Sequence, residues 1–451
     1  MKRLRRIGAL LGAIVLVLAA VPFFITLDDY IPQIEREASA RLGETVRIRS
    51  LRAAALPLPH LTVRGITVGA SEEIKVGKVT VTPDLWTLFD STWVIKSIEI
   101  DGLMLTRAAL RKIPTWVPVG SKGEKRTQPS SIWLESIVLD DAVIELEDAA
   151  FGPFDARLSF SWVGSLESVS LATRDGAFTA VVRPQQSSYL IEASANRWIL
   201  PVGPPIHFDE LTVKGIATAK GASFSDMSAR LYGGIVNGRV VLGWQKGVQL
   251  KGSAVVTQVE IASLLKALGR PQILSGRLNA RPVFSGSAAD SGKLLETVRM
   301  DAPIDVQNGV LRGVDLGKAA SSLLDRDAGK GGETRFDHLS GHLSLRDGTR
   351  RLTQLSVASG SLEADGYVTI SPGDELSGRI KTSVKAGSIA AVAVPLNVSG
   401  TLDSPLLYPT GGTVAGAAAG TAVLGPVFGT AIGAKVGQWF ESLFGNKDDA
   451  K

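Results

Sequence analysis

GHLSLRDGTRRLTQLSVASGSLEADGYVTISPGDELSGRIKTSV runs from Gly341 to Val384. Leu343 and Leu345 alternate with Ser344 and Arg346, and beyond Asp347-Gly348 the same alternation returns, reaching Val368 and Ile370 after Asp365-Gly366. A period of two places apolar and polar side chains on opposite faces of a strand. Asp-Gly and Asn-Gly tolerate the positive φ of tight hairpins. The stretch therefore reads as consecutive strands, each with one apolar face.

The pattern extends in both directions. From Trp133 to Leu407 the chain reads strand, turn, strand, with turns expected at Asp175-Gly176, Gly233-Gly234, Asn237-Gly238 and Asn308-Gly309 as well as at the two Asp-Gly pairs above. Upstream, IKVGKVTVTP carries Val79 and Val81, and IKSIEIDGLMLTR carries Ile98 and Ile100, then Leu103 and Leu105 across Asp101-Gly102. Helical signals are few. Asp28 or Asp29 is expected to cap a helix that stops before Gly43, and short helices are expected over Glu260 to Leu268 and Leu316 to Leu324.

The fold expected is mostly β: an elongated, curled antiparallel sheet forming an apolar groove, with an N-terminal transmembrane helix, a few short helices and a C-terminal glycine-zipper helix. A closed sandwich fits the alternation equally well. In a groove, the lining is expected to include Val79, Val81, Ile98, Ile100, Leu343, Leu345, Val368 and Ile370. An apolar stripe of that extent would need an apolar occupant. About 25 strands spaced ~4.8 Å apart would make a groove on the order of 120 Å long.

Both ends read as membrane segments. Lys2, Arg3, Arg5 and Arg6 precede 21 uncharged residues, Ile7 to Leu27, which as a helix would span roughly 30 Å, the thickness of a hydrocarbon core. Ile7, Leu11, Leu16, Phe23 and Leu27 are the expected anchor, with the basic end held in the cytoplasm. A cleaved signal peptide ending near Ala20 is the rival reading, although the apolar run continues past it. In the tail, Gly416 and Gly420, then Gly429 and Gly433, form small-residue strips suited to helix packing in lipid. Trp439, Phe440 and Phe444 follow on an amphipathic segment suited to an interface. A helical cap on the groove, or a flexible tail, would explain the same residues.

The organisation expected is an anchor (1–27), an N-terminal domain (28–110), a linker or surface loop (111–131) rich in Pro and charge, a central β region (132–335), a C-terminal module (336–410) and the glycine-rich tail (411–451). With 451 residues, 48 of them glycine, the chain is long enough for more than one core. A net charge of +5 without a basic stripe argues against a nucleic-acid partner, and the absence of cysteine removes disulfide and thiolate chemistry. No catalytic residue, metal site or cofactor is assigned. His338 and His342, four apart in an alternating stretch, share a strand face some ~13 Å apart, too far to share a metal.

Two stretches resemble the AsmA family. LPLPHLTVRGITVGASEEIKVGKVTVTPDLWTLFDSTWVIKSIEIDGLMLTR, Leu56 to Arg107, has the order of elements at the start of AsmA-like proteins. FDHLSGHLSLRDG…EADGYVTISPG…VPLNVSGTLDSPLLYP, Phe336 to Pro409, looks like the AsmA C-terminal module. The resemblance implies an inner-membrane anchor, a periplasmic β-groove similar to bridge-like lipid transfer proteins, and a role in phospholipid movement and envelope integrity. Its implied partners are phospholipid acyl chains, the inner membrane, the outer membrane in a bridging arrangement, and an envelope protein; no enzyme activity is implied. The different-class alternative is a tethered scaffold for outer-membrane protein assembly.

Overall fold

The computed structural model describes residues 27–54, 58–84, 86–87, 93–110, 132–145, 150–201, 203–245, 247–289, 291–321, 329–360, 362–386 and 389–410. The anchor residues Ile7, Leu11, Leu16 and Phe23, the whole of 111–131, and the whole tail lie outside them. Among the described residues no helix is long and apolar enough to cross a membrane. The chain divides into two compact units, residues 1–196 and 197–451.

In the first unit a single turn at Asp28–Tyr30 leads into helix α1 (Ile31–Leu42). Pro32 suits the first turn, where no intrahelical N–H bond is needed. Gly43 ends the helix at φ 68° and donates its N–H to the Ser39 carbonyl. Neither acid caps the α-helix, contrary to the sequence expectation. The Asp28 carboxylate instead accepts the Leu51 N–H at 3.2 Å, and Glu35 and Ser39 accept those of Ile48 and Val46. The helix is thereby fastened to the strands that follow it.

Those strands are β1 (Val46–Arg47), β2 (Ser50–Ala54), β3 (His60–Val68), β4 (Ile74–Pro83), β5 (Trp93–Thr106), β6 (Ile132–Leu134), β7 (Ser136–Glu145), β8 (Ala150–Phe160), β9 (Leu166–Thr173), β10 (Phe178–Gln185) and β11 (Ser188–Ile199), the last crossing the division between units. Most neighbours pair antiparallel through short turns. The exception corrects the all-antiparallel expectation: β5 pairs in parallel with both β6 and β7, Ile98 opposite Ile137 and Ile100 opposite Leu139. Parallel neighbours need a long crossover. The stretch between Thr106 and Ile132 supplies it, so the Pro- and charge-rich segment joins two strands of one sheet.

The second unit contains β12 (His207–Thr218), β13 (Gly221–Leu231), β14 (Gly234–Gly243), β15 (Val248–Glu260), β16 (Leu274–Ala280), β17 (Val283–Ala288), β18 (Arg299–Val314), β19 (Lys330–Arg346), β20 (Thr349–Ser359), β21 (Leu362–Ile370), β22 (Leu376–Ala386), β23 (Ile389–Gly400) and β24 (Pro405–Pro409). All of its described strand pairs are antiparallel. β16 and β17 share one position between β15 and β18, interrupted at Arg281-Pro282. Proline cannot donate to a ladder, which explains the break.

Helix α2 (Ile261–Ala267) follows β15 and helix α3 (Leu316–Ser321) follows β18. Glu260 caps α2, accepting the N–H groups of Ala262 and Ser263 at 3.1 and 2.6 Å. Partial burial pushes its carboxyl upward, but the bonds from Ser263 and Ala262 and the charge of Arg277 outweigh that, so its pKa falls below the ordinary value. Leu316 and Ala319 of α3 are buried with Val394, Leu396 and Val398 in the main core of this unit. The buried Thr334 hydroxyl bonds both the Leu316 N–H and the Val314 carbonyl at 2.9 Å and fixes where α3 starts.

Of the expected glycine turns, Asp175-Gly176 and Asp347-Gly348 join strands, and Gly233 sits with Tyr232 in the β13–β14 turn. Asn237-Gly238, Asn308-Gly309 and Asp365-Gly366 lie inside strands instead. At Gly366 the reason is close approach: a Cβ there would lie 2.1 Å from the Arg379 carbonyl oxygen of the neighbouring strand.

Candidate apolar groove

Cross-strand register turns the alternation of single strands into continuous apolar rows. In the first unit Leu61 lies opposite Val81, Val81 opposite Ile98, and Ile98 opposite Ile137. The row continues through Leu158, Val169, Val182 and Ile191, eight strands with no polar member. A second row joins Val63, Val79, Ile100 and Leu139, then Ala156 and Leu171. The four residues expected from sequence, Val79, Val81, Ile98 and Ile100, are thus a single two-by-two patch. Their neighbours Thr80, Glu99, Val138 and Arg157 alternate to the opposite face.

Alternation alone would send Ile66, Val76 and Leu103 to that opposite face. Gly65 and Gly102 prevent this: both have positive φ, 64° and 67°, and stand where the apolar spacing changes from two residues to three. The ladders keep their register through these glycines, Ile66 opposite Val76 and Val76 opposite Leu103, so the three residues form one row, each three positions from Val63, Val79 or Ile100. Leu103 accordingly packs in one cluster with Leu139, Ala156 and Phe154, and in another with Val46, Val68, Ile74 and Leu42 of α1. One apolar face results. Its far end is covered by α1, while all eight members of the Leu61–Ile191 row are only half-buried, belong to none of the core clusters, and remain reachable.

In the second unit the corresponding face is filled along one row and hollow beside it. Val306, Leu339, Val357 and Ala364 lie in register and are at most 5% exposed. Thr382 and Val394 continue the row, equally buried. Next to it is a cavity of about 190 Å³ bounded by Ile304, Leu339, Leu352, Val368, Ile380 and Leu407 among others, with Arg312 the only charged residue on its wall among the described residues. An apolar cavity of ~150 Å³ stays dry and takes up a benzene-sized guest, so this volume suits a stretch of alkyl chain.

Val368 and Ile370, expected from sequence, line this cavity. Leu343 stands opposite Leu352, which stands opposite Val368, and Leu345 is joined to Ile370 through Arg350. These four residues therefore occupy two adjacent rows. Sequence reading missed Ile137, Leu158, Val169, Val182 and Ile191, and in the second unit Leu339, Leu352, Ile380 and Leu407. Their own alternation marks them as one-faced, but only the pairing partners reveal that the rows join.

The polar groups weighed for chemistry stand elsewhere. His338, exposed, and His342, half-buried, are on β19, with Nε2 atoms 3.1 Å from Asp305 and 3.7 Å from Asp301. Among the described residues no group of three or more His, Asp or Glu is placed to hold a metal ion. Asp175 has a pKa below the ordinary carboxylate value because the Thr173 hydroxyl and the Ala177 N–H bond to it; it closes the β9–β10 turn.

Comparison with known families bears on the second unit only. The AsmA family model matches residues 207–355. This stretch of the chain is AsmA-like. The matched third opens at the first residue of β12 and ends within β20, so it spans the half of the second unit that leads into the cavity wall. It includes the beginning of the Phe336–Pro409 stretch and none of Leu56–Arg107. No curated protein and no solved structure matches the chain.

Proposed function

We propose that this AsmA-like protein is a non-enzymatic lipid carrier of the bacterial envelope, which shelters phospholipid acyl chains on the apolar face of its sheets and supports phospholipid passage between inner and outer membrane. The observation that carries the reading is the half-buried Leu61–Ile191 row, eight strands wide and wholly apolar. Each methylene laid against such a face gains about 0.8 kcal/mol. A row repeated at every strand offers the same gain from one position to the next, so a chain can slide without a deep trap. AsmA-family likeness supports an envelope role of this kind. The run from Ile7 to Leu27 serves as a single inner-membrane anchor that leaves the bulk in the periplasm, and the glycine-rich tail, through Gly416, Gly420, Gly429, Gly433, Trp439, Phe440 and Phe444, as a second membrane contact.

A scaffold for outer-membrane protein assembly is the second reading. It is favoured by the part of the second unit where α3 and the Val306 row fill the inner face with the chain's own side chains. Photo-crosslinking separates the two. A benzophenone side chain placed at Ile100 or Val182, on the apolar face, is expected to yield lipid adducts in living cells. The same group at Glu99 or Arg157, on the opposite face, is expected to yield none. Protein adducts at all four positions, without lipid, would replace the carrier with the scaffold.

A further inference from the structure

Most of the exposed large apolar residues of the first-unit strands collect at one end of the sheet; Met104 of β5, 37% exposed, stands towards the other. Leu58 precedes β3, Trp86 follows β4, Trp93 opens β5, Trp162 and Val163 form the β8–β9 turn, and Tyr189 lies at the β10–β11 turn. Register puts all of these at the same edge: Ala54 pairs with His60, Pro83 with Ile95, Trp93 with Ile132, Phe160 with Leu166, and Pro184 with Tyr189. Trp86 and Trp162 are 89% and 86% exposed, values that two unrelated tips share and that no packing among the described residues of the unit explains. The other end of the same strands is polar, with Glu72, Glu145, Arg174 and Asp175 at its turns.

These tips are built to stand out. The Asp84 carboxylate accepts the Trp86 N–H at 3.0 Å, and the Thr87 hydroxyl accepts the Val94 N–H at 2.9 Å. Around Trp162-Val163, Ser161 and Ser165 close the loop by a hydroxyl pair at 2.6 Å and by the Ser161 N–H donating to the Ser165 carbonyl, with Gly164 at φ 75°. Tryptophan and tyrosine on fixed tips at one level suit the boundary between lipid headgroups and hydrocarbon, where an apolar ring and a polar N–H or O–H are both satisfied.

The path of the chain selects the occupant. The uncharged run Ile7–Leu27 ends at Asp28, whose carboxylate is tied to Leu51. Leu51 lies three residues, about 10 Å, from the aromatic end of β2. Helix α1 then runs away from that end to reach Val46 and Val68. The apolar run thus joins the fold on the aromatic side, which is also the side where the Leu61–Ile191 row is left uncovered.

We infer that this aromatic end of the first unit is a bilayer-contacting rim, seated in the headgroup layer of a phospholipid membrane. Contact there does not depend on whether acyl chains enter the apolar face; it shares with the proposed function only the membrane location of the run before Asp28.

The test uses the full chain, which has no cysteine of its own, reconstituted in vesicles of phosphatidylethanolamine and phosphatidylglycerol. Single cysteines carrying an environment-sensitive fluorophore replace Trp162, Ser71 at the opposite end, or Leu16 in the apolar run. Lipids with a doxyl quencher near the headgroup are expected to quench position 162 by about twofold and to leave position 71 unchanged, while position 16 is read with lipids whose doxyl group lies deep in the acyl chain. Quenching at Leu16 but not at 162 would overturn the rim while leaving the anchor intact, and quenching at neither would overturn both. Excimer emission between pyrene labels at 162, without lipid quenching, would give the rim to a second copy. Absence of both signals would give it to a protein partner, and either result refutes bilayer contact.

Discussion

Replacing Val368 with aspartate should weaken alkyl binding without unfolding the protein. Val368 is half-buried on the wall of the cavity, opposite Leu352 on one side and Gly378 on the other. The cavity holds about 190 Å³, room for roughly six methylene-sized groups at ~30 Å³ each. At about 0.8 kcal/mol apiece, their burial supplies ~5 kcal/mol, enough for a dissociation constant on the order of 10⁻⁴ M from this cavity alone. A carboxylate at position 368 keeps its own water and denies contact to about two of those groups, a loss of ~1.6 kcal/mol or roughly 15-fold. Tyr367→Asp is the control, since Tyr367 is the adjacent residue, 42% exposed and on the opposite face. Titration of the full chain with a fluorescent C16 fatty acid, alongside thermal melting, reads the difference. Equal affinities for the two variants, or equal losses, would refute the assignment of that face as the binding face.

Three further outcomes concern the fold that presents it. Thr382 is fully buried and its hydroxyl has no hydrogen-bond partner among the described residues, so Thr382→Val, which keeps the shape and removes the stranded hydroxyl, should raise stability by about 1 kcal/mol in chemical denaturation. Gly366→Val must push against the Arg379 carbonyl and should cost about 3 kcal/mol or more, read as a lower melting temperature. Glu260→Ala removes the α2 cap and should cost about 1 kcal/mol at pH 7. Because the folded pKa of Glu260 is lowered, its contribution is present above the ordinary glutamate range and fades as pH falls through the folded value, so the wild-type and Ala variant melting curves should converge in acid.

Strand content was legible in the sequence because each strand carries its own period-two record, as Val79 and Val81 or Val368 and Ile370 do. Helix α2 was legible for the same local reason, with Glu260 before it and Gly269 and Pro271 after it. What escaped is what depends on distant partners. The parallel pairing of β5 with β7 is written in no local pattern, and the composition of the crossover that permits it is that of any surface loop. Asp28 looks like a helix cap until Leu51 is seen to claim its carboxylate. Asn-Gly and Asp-Gly marked turns at Asp175 and Asp347 but not at Asn237, Asn308 or Asp365, where glycine answers to a neighbouring strand. The candidate lining was half legible: eight residues were named from alternation, yet their union into rows, and the hollow that α3 leaves at Val368 and Ile380, exist only once the strands are paired.

The central claim, that the apolar face carries acyl chains, is tested most directly by native mass spectrometry of the full chain purified from its own membranes and released from detergent. Phospholipid bound in discrete numbers, and lost in proportion when Ile98 and Val368 are replaced by aspartate, is the predicted result. A spectrum of bare protein that takes up no added phospholipid would contradict it.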